Sequence, residues 1–458
     1  MLSVQKTLDD LGTLIGFASV SSDSKQKESI DNCADWLVKH LKQIGLQHTA
    51  LYETSSHPVV FAEHKVHPAL PTILFYGHYD VQPAEIINQW HTPPFKAVIK
   101  GNYIYGRGAS DDKGQLFIHI KAVEQLLNHN KPLPVNVKFL IEGAEEIGSL
   151  GLKEFIATHK NLLQCDAIVV SDTKMIALHQ PAITYSLRGS LNAEIFIQTG
   201  KKDLHSGTFG GYVPSAAITV SKLITKLYNS DHSIAIPGFY NNVEVIPDAE
   251  RKFIKANAVS DERLLKDAET FSKWGEDTYS LHERATTRPS LSVTGITSGF
   301  QGKGIKNIIP STASVKLNFR LVPNQKPGEI QLLLDDYLRK VITNATVKTV
   351  YSSYNNAVTV STNNPYIRAA ANAYETVFKH KPGFIQNGGT IGAVDYLHSL
   401  LKVPVVLMGF AQASDNMHAP DEKFYLPNFF RGISTVKQFI HNVAYLNKKT
   451  NRHEAAYH

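Results

Sequence analysis

Cysteine is nearly absent from this chain. Only Cys33 and Cys165 occur in 458 residues, far apart and outside any CxxC spacing. That excludes a disulfide framework and offers no thiolate zinc site, and the usage fits a reducing compartment. Long apolar runs are missing as well: no stretch reaches the roughly 18 uninterrupted apolar residues of a membrane span. The N-terminal MLSVQKTLDDLGTLIGFASVSSDSKQKES lacks a basic segment followed by a long apolar core and a small-residue cleavage site, so it reads as a helix and not as a signal peptide. Strong charge bias is the third absence. Lys and Arg number 47 against 41 Asp and Glu, but they are scattered, with NKKTNR near the C-terminus the only local concentration, which argues against a nucleic-acid footprint. The expectation is a soluble, cytoplasmic protein with neither nucleic acid nor a membrane as partner.

What is present is an ordinary folded composition, 43% hydrophobic and 19% charged, long enough for two cores. In KESIDNCADWLVKHLKQIGL, Ile30, Ala34, Trp36, Leu37, Leu41 and Ile44 recur at helical spacing and Gly45 stands where a C-terminal glycine closes a helix. Strand-like TILFYG, VNVKFLIEG and AIVVSD follow, with the helical GQLFIHIKAVEQLLNHN between the first two. Strands separated by helices predict an α/β domain, a mostly parallel sheet with helices on both faces. From residue 183 the texture changes. AITYSLRGSLNAEIFIQTG reads as a β segment, PSAAITVSKLITKLYN as a helix, SLSVTGITSG and ASVKLNFRLVP as strands, and GEIQLLLDDYLRKVI as a helix. The α/β pattern resumes near residue 356 with NPYIRAAANAYETVF, VPVVLMGF and a final helix around FFRGISTVKQFIHNVAYL. The predicted organisation is therefore a domain in two parts, 1–182 and 356–458, with an α+β domain, 183–355, inserted in it.

The chemistry-bearing residues gather at strand ends. In YGHYDVQP the His78 and Asp80 side chains, two apart in extended chain, share a face at the carboxyl edge where open α/β sheets bind ligands. GRGASDDKG, EGAEEIGS, VVSDT and ASDNMHAPDE occupy comparable places. Each cluster alone has a plain structural explanation: a capped turn, a helix N-cap, a solvated loop. All five at the ends of core strands point jointly to a metal site. Imidazole and carboxylate without thiolate suit zinc, manganese or cobalt, and the number of ligands suits two divalent ions with a shared aspartate between them.

The motifs GHYDVQP, GRGASDDKG, EGAEEIGS, DLHSGTFGG, IIPSTASVKLNFRLVPN and NGGT followed by DNMHAPDE, in this order, closely resemble the M20 family of metallopeptidases. The DVQP tail and the long segment between residues 228 and 290 are most similar to its dipeptidase branch, which includes the cytosolic carnosine-type dipeptidases. The resemblance implies that His78, Asp111, Glu146, Asp172 and His418 are metal ligands, with Asp111 bridging, and that Asp80 and Glu145 act without being ligands. Asp80 would orient His78, and Glu145 would take the proton of the attacking metal-bound water and return it to the departing amine. Extended chain at Glu145 and Glu146 would point the two side chains apart.

The inserted domain, by the same resemblance, is a lid and dimerisation domain. His205 matches a histidine that reaches the partner subunit's active site to stabilise the oxyanion. Asn307 and Arg320 match substrate contacts, and Thr390 follows a GG turn suited to holding a carboxylate. Asn307 and Thr390 stand where the carnosine-type enzymes have Thr and Ser. The implied function is a homodimeric two-metal dipeptidase acting through a metal-bound hydroxide. The alternatives are an N-acyl-amino-acid deacylase or desuccinylase on the same scaffold and, from another class, a metal-binding protein without turnover.

Overall fold

The computed structural model describes residues 3–85, 87–128 and 131–454, the last eight without side chains. Met1, Leu2, His129, Asn130 and the side chains of the NKKTNR run lie outside the described residues. Two compact units emerge: residues 1–185 with 360–385 and 392–458, and residues 186–359 with 386–391. The chain crosses between units at 185/186 and 359/360, where the sequence suggests 182/183 and 355/356. It also returns to the second unit for six residues that the sequence pattern assigns to the first.

In the first unit the main sheet runs, over seven of its nine strands, in the order His48–Tyr52, Val59–His64, Asn136–Glu142, Thr72–His78, Ala167–Val170, Val405–Met408 and Ala182–Leu187, with a separate three-stranded sheet of Lys423–Tyr425, Tyr103–Tyr105 and Val98–Lys100. Its four central strands are parallel and its margins antiparallel. The central strands are buried on both faces, which is why they read as unbroken apolar runs and not as alternating ones. One face is covered by the helix Lys113–Leu127: the Phe75 ring lies 4.8 Å from His119, and a Cβ at Gly77 would come within 3.1 Å of Leu116 Cβ. That helix is buried almost all round because the helix Leu426–Glu454 packs against it in turn. Leu152–Thr158 and Gly392–Leu401 pair with each other, the latter also meeting Val405–Met408, so helices lie on both faces. At the end of Lys27–Gln43, Gly45 takes φ +105° while Leu46 N–H donates to Leu41 O and Gly45 N–H to Lys42 O, the double bond that ends a helix with a left-handed glycine. Among the described residues no helix is long and apolar enough to cross a membrane.

The second unit is a four-stranded antiparallel sheet, ordered Ser290–Ser298, Thr312–Leu321, Gly189–Gln198 and Thr346–Asn355. Alternate residues Leu191, Ala193, Ile195 and Ile197 meet Val315, Leu317 and Phe319 in one core beneath the helices Ala216–Lys226 and Pro327–Val341. Side chains the size of Phe319 and Leu334 contribute roughly 1.5–3 kcal/mol each when fully buried. The stretch AITYSLRGSLNAEIFIQTG, read as one β segment, is two strands broken at Arg188, one in the sheet of the first unit and one in that of the second.

Candidate metal centre

The Thr72–His78 strand ends with His78 and Asp80 fully buried. His78 Nδ1 lies 3.1 Å from the Asp80 carbonyl and 3.3 Å from Asp80 Oδ1, so Nδ1 carries the proton of the neutral ring. Nε2 then presents its lone pair 3.2 Å from Asp111 Oδ1 and has no hydrogen-bond partner. Two acceptors facing each other in a buried site are stable only with a cation between them. Burial would lower the His78 pKa, but Asp111 and Asp80 raise it well above its ordinary value; a proton or a metal ion at Nε2 answers the same field.

Asp111 sits at the centre. Its ligand-type atoms group with those of His78 and Asp172, and separately with those of Glu146 and His418, every atom of a group within 4.8 Å of the others. Two triads sharing one carboxylate make a frame for two adjacent cations. His418 Nε2 lies 2.9 Å from Asp111 Oδ2 and 3.3 Å from Glu146 Oε2. The carboxylates of Asp111 and Glu146, accepting from the protonated ring, push the His418 pKa up to about 10. Burial would raise Asp111, yet the two histidines hold it well below the usual carboxylate range. Asp172 moves the opposite way, raised by burial and by the Asp111 charge. Glu146 Oε1 is, after His78 Nε2, a second buried atom of the site without a partner, while Oε2 accepts from Gln82 Nε2 at 2.8 Å. The donor set, two imidazoles and three carboxylates with buried unpartnered atoms aimed inward, fits hard or borderline divalent ions.

Glu145 and Glu146 do not lie in extended chain: Glu145–Ile147 is a 3₁₀ turn, because Asp80 accepts both of their backbone N–H groups, at 3.1 and 3.0 Å. Successive side chains still diverge on so tight a helix. Burial raises the Glu145 pKa well above its ordinary value, with Asp172, Glu146 and Asp111 adding to that against His78.

Two acids that no motif argument assigned a task build the loop beneath Asp111. Glu422, fully buried, accepts from Ser110 N and Asp111 N through Oε1 and from Gly108 N and Arg107 Nη1 through Oε2. Asp415 Oδ2 accepts from Ser110 Oγ at 2.8 Å and Gln412 N at 2.7 Å. Both belong to the ASDNMHAPDE cluster, and that was their only sequence signal. Between them His418 holds φ +59°, a left-handed conformation costing of order 1–3 kcal/mol outside glycine.

The remaining site residues fall in the second unit as two pairs. His205 pairs in a short ladder with Ile308, beside Asn307, whose carbonyl accepts from Ser206 N; the exposed His205 ring accepts from Gly207 N at 3.1 Å. Arg320 Nη1 donates to Thr390 Oγ1 at 2.8 Å.

Comparison with known proteins identifies the family of the chain. The profile of peptidase family M20/M25/M40 matches residues 74–442. The chain belongs to that family. Its M20 relatives include the Beta-Ala-His dipeptidase of Mus musculus, 31% identical over 82% of this chain and 77% of the mouse one. A Cys-Gly metallodipeptidase of Candida albicans is 30% identical over 95% of this chain and 94% of its own. Among solved structures, an M20 family metallo-carboxypeptidase from Sulfolobus solfataricus superimposes with a TM-score of 0.88 at 32% identity, over 96% of this chain and 99% of that one. The expected likeness to the dipeptidase branch is thus borne out.

Proposed function

We propose that this protein hydrolyses the peptide bond of dipeptides and short peptides with two divalent ions, zinc or manganese, with cobalt also suited. His78, Asp111 and Asp172 would hold one ion and Asp111, Glu146 and His418 the other. The observation that carries this reading is the sharing of Asp111 by two triads of inward-facing ligand atoms. The ions, when bound, acidify the attacking water and polarise the scissile carbonyl. Glu145 takes the proton from that water and returns it to the departing amine. Asp80 fixes the tautomer and orientation of His78. Arg320 and Thr390 receive the carboxylate of the substrate, and Asn307 contacts it. The protein is a homodimer through its second unit, with His205 of one subunit stabilising the oxyanion in the other.

The test is a hydrolysis screen on metal-stripped protein reloaded with zinc, manganese or cobalt, using free dipeptides alongside N-acetyl and N-succinyl amino acids. Metal-restored cleavage of free dipeptides is the expected result; cleavage confined to the acylated amino acids would replace the reading with a deacylase. A second reading, stepwise release of C-terminal residues from longer peptides, is favoured by the 32% identity to a metallo-carboxypeptidase. Tetrapeptides with blocked amino ends, cleaved as fast as dipeptides, would establish it.

A further inference from the structure

Arg188 stands at the break between two strands and is only 9% exposed. Its guanidinium is spent on one short segment and the strand beside it: Nε donates to Gly388 O at 2.9 Å, and Nη1 to Arg288 O and Ser290 Oγ, both at 3.1 Å. Its backbone takes the next two residues of the same segment. Arg188 N–H donates to Gly389 O, and Thr390 Oγ1 donates to Arg188 O at 2.6 Å. The Thr390 hydroxyl therefore has its proton directed at Arg188 and its lone pair turned to Arg320 Nη1 at 2.8 Å. Gly388 permits the approach, since a Cβ there would fall 2.1 Å from Ala285 O and 3.0 Å from Arg188 Nη2.

The charges of Arg188 and Arg320 have only these neutral partners among the described residues. Burial, and the nearness of Arg320, push the Arg188 pKa down to about 10, and burial lowers Arg320. A buried cation beside a half-buried one, paired only with carbonyls and hydroxyls, is costly unless an anion joins them. An arginine fork gives a carboxylate both charge and direction.

We propose that Arg188 is the positioning residue of a carboxylate clamp: it ties down the segment 388–390 so that the Thr390 hydroxyl, its proton held by Arg188 O, fixes the Arg320 guanidinium in place to meet a free substrate carboxylate. The placement of that carboxylate rests on the function proposed above. The clamp makes the enzyme selective for peptides with an ionised C-terminus over the same peptides amidated.

The experiment measures binding and turnover separately. In full-length protein carrying Glu145→Gln, binding of alanyl-leucine and of alanyl-leucine amide is followed by calorimetry, with and without Arg188→Lys. Lysine keeps the charge but cannot serve Gly388 O, Arg288 O and Ser290 Oγ together. A hydrogen bond to a charged group corresponds to roughly 10- to 100-fold in binding, so the dipeptide should bind at least about tenfold more weakly while the amide is unchanged. In the otherwise native enzyme the loss should appear in KM with kcat nearly kept. Equal weakening of dipeptide and amide, or no weakening of either in a folded variant, overturns the proposal. Should Arg188→Lys not fold, Ser290→Ala removes one guanidinium contact, and the same dipeptide-selective weakening, smaller in size, is required of it; unchanged binding overturns the proposal. Failure of the native protein to cleave any dipeptide would overturn the proposed function instead, and the calorimetric comparison would still decide the role of Arg188.

Discussion

The carboxylate of Asp80 accepts the backbone N–H of Glu145 at 3.1 Å. The same side chain also accepts from Glu146 N at 3.0 Å and faces His78 Nδ1 at 3.3 Å. One buried acid thus sets the tautomer of His78 and the turn that carries both Glu145 and Glu146, the base and a ligand of the proposed reaction. Asp80→Asn keeps the shape but turns an amide donor toward one of those N–H groups. Removal of such an orienting partner typically costs 10–100-fold in metal affinity or activity. Metal titration and steady-state kinetics on this variant should show that range, with the larger share in kcat.

Glu145→Gln tests the proton shuttle. A single general base contributes about 10²–10⁴ in rate, so turnover should fall by that factor while elemental analysis still finds two ions per subunit. Near-native turnover in the metal-replete variant would remove Glu145 from the mechanism.

His418→Ala should lose at least one ion and nearly all activity, because His78, the other imidazole at Asp111, is grouped with Asp172 and not with Glu146. Two fully occupied ions in that variant would reduce His418 to a loop residue.

Subunit mixing tests the shared site. His205→Ala and Glu145→Gln subunits, each inactive alone, form hybrids in which one site has a native Glu145 together with the other chain's native His205. Random reassociation gives about half hybrids with one competent site each, hence roughly a quarter of native activity for closed two-fold pairing. Subunits that demonstrably exchange yet stay inactive would place His205 in its own chain's site or outside catalysis.

His119 supplies a pH signature remote from the metal centre. It is fully buried against Phe75, neither ring nitrogen has a hydrogen-bond partner, and burial lowers its pKa from 6.5 to about 3. The unfolded chain binds this proton from about pH 6.5 downward while the folded chain refuses it, so the contribution to stability is whole above pH 6.5 and drains away as pH falls toward 3. His119→Leu should flatten urea-derived stability across that interval. At pH 8, relief of the two unpaired nitrogens should offset the change in packing to within about 1 kcal/mol.

The sequence made the central strands and the five acid and histidine clusters legible because both follow from local spacing: unbroken apolar runs for strands buried on two faces, and acid or histidine immediately after each run. The roles of Glu422 and Asp415 were not legible, since their bonds to the Gly108–Asp111 loop join residues some 300 positions apart and a buried acid in a polar loop looks like any solvated one. The strand Thr346–Asn355 was missed for a related reason. It lies at the edge of its sheet with a largely exposed face, and TVKTVYSSYN shows no apolar run. Arg188 was hidden by its neighbours, whose β character continues on both sides of it and masks the change of sheet.

The return of residues 386–391 to the second unit bears on how this protein could exchange parts with its relatives. A recombination that replaced residues 186–359 as one block would leave behind Gly388, Gly389 and Thr390, whose carbonyls and hydroxyl bond Arg188. The incoming block would have to fit an ancestral six-residue segment encoded far downstream. An exchange that kept these bonds would therefore have to move 186–359 and 386–391 together.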